Sequence, residues 1–293
     1  MTTSRFYCSV ALCALLWGSA FPCIKTVYNL WGEVDFFTRW WLAGIRFTLA
    51  GALLLLFAHQ PMAQLRATPI RYTVGIVLCQ CFFQYIFFYL ALLYGSGSLC
   101  ALMTATGSFL WLLLAPLFNR GSWGGWKVWG ILTLGSIGVG LAVYAPSDTS
   151  VNAPLCILLM LLANLCGTLA ILLFGKIRPT MTAKASSGFG LFIGGLGLCL
   201  LGSPALPDTP QLFTPPVIGI TVYLALVSAI SFTVWNDLST RYPISLLATY
   251  RFIIPIAGVI LSVLFIPEDH FSLWILLGTI IVALAMYLAS KGR

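Results

Sequence analysis

The run from Phe36 to Phe57 is an apolar stretch of helix length that carries Arg46 near its middle and Arg39 two turns earlier. Roughly 20 residues at ~1.5 Å each cross the hydrocarbon of a bilayer, so a spanning helix here would hold Arg46 close to the midplane. A cation at that depth costs at least ~2.5 kcal/mol on insertion scales, and residues so placed usually face a bundle interior or a watered cavity. The seven-residue spacing puts both arginines on one face, which is expected to look inward. One helix has no interior, so the rest of the chain has to build what that face looks into.

The remaining sequence is suited to this. Its 293 residues are 60% hydrophobic and 8% charged, against roughly 25% charged residues in a soluble domain. Runs bounded by charges, Gly and Pro predict ten spans, at about 6–25, 36–57, 71–93, 98–118, 127–145, 153–174, 186–202, 216–236, 245–266 and 271–289. The first could pass for a secretory signal with a cleavage site at Gly18-Ser19-Ala20, but its apolar run continues through Phe21 and Ile24, so an uncleaved span is expected.

The formal charge of +8 invites an acidic partner until the positives are sorted by loop. With the N-terminus inside, Arg5, Arg66, Arg71, Arg120, Lys127, Lys176, Arg178, Lys184, Arg241, Lys291 and Arg293 all fall in inner loops or termini, and Glu33, Asp35, Asp148, Asp208, Glu268 and Asp269 fall outside. Lys and Arg enrichment in cytoplasmic loops is the standard orientation signal. It predicts both termini in the cytoplasm and no nucleic-acid partner. The partners expected are the lipid bilayer and a small-molecule substrate, with the chain a monomer or a homodimer.

Several classes lack their parts. No Walker sequence or HExxH occurs, and no clustered His or Asp-rich motif suggests an enzyme, so neither a catalytic residue nor a cofactor is expected. Nine cysteines lie in or beside spans with no loop pairs, which argues against a disulfide framework or a metal site.

An offset of 148 residues lays span 1 on 6, 3 on 8, 4 on 9 and 5 on 10, matching Thr73 to Thr221, Tyr94 to Tyr242, Leu99 to Leu247, Trp126 to Trp274 and Gly130 to Gly278. Five spans is an odd number, so the second half would enter the membrane inverted. The expected architecture is all-α and polytopic, with ten transmembrane helices as two inverted five-helix repeats, at 1–147 and 153–293, joined through Asp148–Asn152. Alternating-access transporters are commonly built this way.

Trp17-Gly18-Ser19-Ala20-Phe21 with Lys25, then Arg46-Phe47, resembles the opening of the first repeat in the drug/metabolite transporter superfamily, specifically its EamA-type ten-helix members. Trp235-Asn236, Ile254-Pro255, Phe265-Ile266-Pro267-Glu268 and Gly278 resemble that repeat's closing helices. Gly107 departs from a frequent Pro, and Asn119-Arg120 from the usual Gly-Glu. The resemblance implies a multi-pass protein of the bacterial cytoplasmic (inner) membrane that moves amino acids, related metabolites or toxic compounds, often outward.

Polar side chains within spans are the candidate substrate-binding residues, since each needs a partner in a medium that offers none. Arg46 is set against a role as a structural cation. Lys25 and Arg251 are each balanced against snorkelling to a headgroup region. Pro255 removes the helical bond to the Arg251 carbonyl, which is expected to leave a free acceptor and a kink. Gln80 and Gln84 share a face with Tyr85 beside them, and Asn164 and Thr168 repeat the device; interhelical bonding is the plainer alternative for the hydroxyls, as it is for Thr104 and Ser108. Trp17, Trp111 and Trp235 could stack on a solute or simply pack. Glycines at 130, 135, 138 and 140, and at 188, 190, 194, 195 and 197, are expected to form packing seams. No Asp, Glu or His is predicted at mid-membrane depth, which favours a carboxylate-bearing solute over the rival cargo, a lipophilic cation; a lipid-carrier flippase is the further alternative.

Overall fold

A computed structural model describes residues 3–118, 126–143, 151–242, 244–251, 253–266 and 273–291. Asn119, Arg120, Asp148, Pro267, Glu268, Asp269 and Arg293, which figured in the sequence reading, lie outside them. Among the described residues all regular structure is helical. The long helices are α1 (Thr3–Trp31), α2 (Phe36–Leu56), α3 (Ile70–Tyr94), α4 (Gly97–Phe118), α5 (Trp126–Val143), α6 (Ala153–Ile177), α7 (Ala183–Leu201), α8 (Pro215–Arg241), α9 (Leu246–Phe265) and α10 (Leu273–Lys291). Eight of them, α1–α4 and α6–α9, are long and apolar enough to cross a membrane, and α10 carries a shorter apolar stretch, Leu273–Ala285. Large apolar side chains such as Leu56, Leu200 and Leu264 point outward, the arrangement a lipid surround favours and water does not.

Local sequence sets where the helices begin. Asp35 Oδ1 accepts from both the backbone N–H and the hydroxyl of Thr38 at 2.8 Å, while Ser96, Asn152 and Thr182 cap α4, α6 and α7 by accepting from Leu99, Leu155 and Ala185 N–H. Each cap satisfies a donor that the helix itself cannot. Two elements escaped the periodicity analysis. Pro61–Ala67 forms a short helix in the α2–α3 connection, and Thr209–Leu212 another in the Pro-rich α7–α8 connection. Helices α1 and α8 also run on to Trp31 and Arg241, past the predicted ends at 25 and 236.

Chain ends alternate between two ends of the bundle. At one, Lys184 donates to the Phe57 carbonyl, Gln64 accepts from Thr182 N–H, and Arg178 donates to the Thr240 carbonyl; this end also gathers Arg66 and Arg71 and is the basic end below. At the other, Trp31 Nε1 donates to the Leu212 carbonyl at 2.8 Å and Asn152 N–H to the Tyr94 carbonyl at 3.0 Å.

The closest helix pair is α2 against α7, antiparallel and almost without side chains between them. A Cβ on Gly44 would stand 2.5 Å from Cys199 N, one on Gly51 2.2 Å from Phe192 N, and one on Gly195 2.5 Å from Thr48 N. Only glycine permits such an approach. The expected span 5 seam is partial: Gly135 meets Phe109 and Gly138 meets the Gly278 carbonyl, but Gly130 and Gly140 have open space beside them.

Candidate functional site

The backbone departs from regular α-helix where polar residues sit. Leu78–Phe82 of α3 is a π-helical turn containing Gln80, a feature often found at functional sites. Helix α4 changes pitch at Thr104, where Gly107 N–H bonds the Thr104 carbonyl at 3.1 Å, and α9 does so at Arg251, where Ile254 N–H bonds the Arg251 carbonyl at 3.0 Å. That last bond corrects the expectation of a free acceptor. Pro255 removes the usual donor, and a tighter turn supplies Ile254 in its place.

These irregular segments border a cavity between mid-bundle and the basic end, lined by residues from α1, α2, α3, α4, α6, α8 and α9. Nine of the eleven candidate residues line it: Trp17, Arg46, Gln80, Gln84, Tyr85, Trp111, Asn164, Trp235 and Arg251. Lys25 and Thr168 do not. Lys25 is half-buried higher on α1, and Thr168 is fully buried with its hydroxyl 3.5 Å from the Gly107 carbonyl, the interhelical bond weighed as its plainer role.

Three tryptophans from three helices form one wall. Trp17 lies 5.6 Å from Trp235, which lies 6.3 Å from Trp111. Phe232 extends this wall at 5.5 Å from Trp17, and Phe21, Phe88 and Tyr85 make another, with Phe88 5.6 Å from Phe21 and 5.5 Å from Tyr85. Sequence reasoning passed over Phe21, Phe88, Phe232 and Asn236 as site residues. Phe88 was within reach, since it continues the i, i+4 row of Gln80 and Gln84 by one more step.

The two cavity arginines differ in what they touch. Arg46, 1% exposed, donates from Nε to the Leu224 carbonyl (3.2 Å) and Ser228 Oγ (3.1 Å), from Nη2 to Ser228 Oγ (3.0 Å), and from Nη1 to the Tyr89 hydroxyl (3.2 Å). Beyond it, away from the basic end, the Tyr28 hydroxyl donates to the Tyr89 carbonyl at 3.2 Å, and Arg39 lies over the Tyr28 ring at 3.9 Å. Arg251 turns inward, its guanidinium carbon 5.0 Å from the centre of the Trp111 ring. Snorkelling therefore does not describe it. Asn164 Nδ2 donates to the Met103 carbonyl and to Thr106 Oγ1, both at 2.9 Å, which secures α4 just before its change of pitch.

Among the described residues no Asp, Glu or His lines the cavity, and no group of three potential metal ligands is found. Asp237 lies at the basic end, paired with Arg241 at 2.9 Å.

No family model matches the chain. Comparison with curated proteins gives no match either. A solved structure, described only as the crystal structure of a protein, is similar over 98% of this chain and 96% of its own, with a TM-score of 0.69 at 15% sequence identity. At that identity the likeness concerns the fold alone. The eight long apolar helices are those of a polytopic helical membrane protein, and they enclose an aromatic-lined cavity.

Proposed function

We propose that this protein is a ten-helix secondary transporter that exports or exchanges small carboxylate-bearing metabolites, amino acids or their relatives, by alternating access. The observation that carries the reading is the cavity itself. It is walled by aromatic rings, it holds two arginines and the amides Gln80, Gln84 and Asn164, and no acid among the described residues faces it. Such a lining suits an anion with an apolar body and repels a lipophilic cation.

Packing supports the inverted repeat. Moving each member of the Gly44–Cys199 contact by 148 residues turns it into Phe192–Gly51, which is also a contact. Helix pairs exchange in the same way: α1 packs on α8 as α6 packs on α3, and α1 packs on α9 as α6 packs on α4. Two halves so related can rock about a shared site. With the basic end in the cytoplasm, as the loop charges favour, the cavity faces inward. The Arg46–Tyr89–Tyr28 chain then closes the outer side. The resemblance to EamA-type members of the drug/metabolite transporter superfamily agrees with this reading and implies placement in a bacterial inner membrane.

Purified protein in proteoliposomes tests it by counterflow of radiolabelled amino acids and simple carboxylates, with lipophilic cations alongside. Saturable carboxylate exchange is expected. Exchange of cations alone would replace the reading with drug efflux.

A further inference from the structure

Four polar atoms on the cavity wall have no partner in the protein: Arg251 Nη1, Trp111 Nε1, Gln80 Nε2 and Gln84 Oε1. Trp111 is 2% and Gln80 4% exposed, so their donors are withdrawn from solvent as well. Buried donors are normally satisfied, and a cluster of bare ones marks a place where an acceptor from outside is wanted. Three of the four are donors, and one belongs to a full positive charge.

Arg46 is in the opposite condition. All three of its nitrogens already donate within the protein, to Leu224, Ser228 and Tyr89. Its charge is also shared with two rings, Phe47 at 4.6 Å and Tyr85 at 5.9 Å from the guanidinium carbon. For Arg251, the absence of a side chain at residue 107 is what creates room. A Cβ there would stand 2.8 Å from Arg251 Nη1, close enough to force the guanidinium aside. Gly107 therefore lets the cation lie along α4 beside the Trp111 indole.

We propose that Arg251, with the indole N–H of Trp111, holds the anionic group of the solute, and that Arg46 is a tie between helices. A carboxylate offers two oxygens, one for the guanidinium and one for the indole, and a charged donor makes the stronger of the two bonds. The bare Gln84 carbonyl suits an N–H on the same solute. This assignment rests on the carboxylate-transport reading and moves its anion site from α2 to the α4–α9 contact.

The test is equilibrium binding of radiolabelled phenylacetate and phenethylamine to the full chain in nanodiscs. Wild-type protein is expected to bind phenylacetate and not phenethylamine. Arg251→Gln should weaken phenylacetate binding by about tenfold or more, and Trp111→Phe, which keeps the ring and loses only the N–H, by about three- to tenfold. Ser228→Ala, which loosens the Arg46 tie from outside the cavity lining, should melt at lower temperature yet bind within about threefold of wild type. If folded Arg46→Gln loses binding while Arg251→Gln and Trp111→Phe keep it, the assignment falls and the carboxylate reading stands. Should Arg251→Gln fail to fold, unchanged affinity in Trp111→Phe overturns the assignment alone. Binding of phenethylamine only, or of neither probe, counts against both.

Discussion

Ser228 Oγ stands 3.1 Å from Nε and 3.0 Å from Nη2 of Arg46, so one hydroxyl on α8 receives two donors of a buried cation on α2. The same hydroxyl donates to the Leu224 carbonyl at 3.0 Å. This ties together helices from the two halves of the chain, and losing either partner leaves buried polar atoms bare.

Arg46→Gln is accordingly expected to destabilise the protein by about 2–4 kcal/mol, and Ser228→Ala by about 1–3 kcal/mol, because the desolvated partners remain. Thermal denaturation of detergent-purified protein measures both. In a double-mutant cycle the two changes should be non-additive by at least about 0.5 kcal/mol, since they share one network. Simple additivity would mean that the hydroxyl and the guanidinium do not work together.

The α2–α7 seam gives a sharper contrast. Gly51→Ala places a methyl 2.2 Å from the Phe192 backbone nitrogen, and Gly195→Ala one 2.5 Å from that of Thr48. Backbone cannot rotate away as a side chain can, so each change should cost about 1–3 kcal/mol or more. Gly130→Ala meets nothing within 4 Å and should be neutral or gain up to about 1 kcal/mol from helix propensity. Melting temperatures of the three variants decide whether the seam is as tight as described.

Solute binding should be insensitive to pH. A carboxylate solute stays ionised between pH 6 and pH 8, its reference value being near 4, and no Asp, Glu or His among the described residues lines the cavity. Phenylacetate affinity measured across that range is expected to stay within about twofold. A tenfold change would point to a titrating group on the wall.

Orientation can be read by labelling. In a cysteine-free background, cysteines at the exposed positions Glu33 and Val151 should react in intact cells with a membrane-impermeant maleimide, and one at His59 should react only after permeabilisation. The three sites lie at opposite ends of the bundle, so the reverse pattern would invert the proposed topology.

Much of the site could be read from sequence because burying polar groups in a membrane is costly. Arg46, Gln80, Gln84, Asn164 and Arg251 stand out against apolar neighbours, and that cost alone places them on an inner wall. The apolar wall was harder to see. Phe21, Phe88 and Phe232 look like every other phenylalanine in a chain that has 20 of them, and only helix phase separates a ring facing the cavity from one facing lipid. Partner choice was less legible still. Two arginines in apolar helices turn out to differ, one bonded to Leu224, Ser228 and Tyr89, the other stacked on Trp111 with Nη1 unpaired beside Gly107, because contacts across 178 to 182 residues of chain have no local signal. The π-turn at Leu78–Phe82 leaves no mark in the hydropathy pattern either.

Gly107 has a last implication. The 148-residue offset sets it against Pro255, and sets Arg251 against Met103. Identical halves would make the inward- and outward-facing forms equivalent by a two-fold rotation, of equal energy and populated in equal amounts. Here one half has a gap where the other has a rigid ring, and a charge where the other has a thioether. In the transporter proposed above these differences lift the degeneracy, so the empty form would have a preferred resting side, and the four residues at the two changes of helix pitch contribute to that bias.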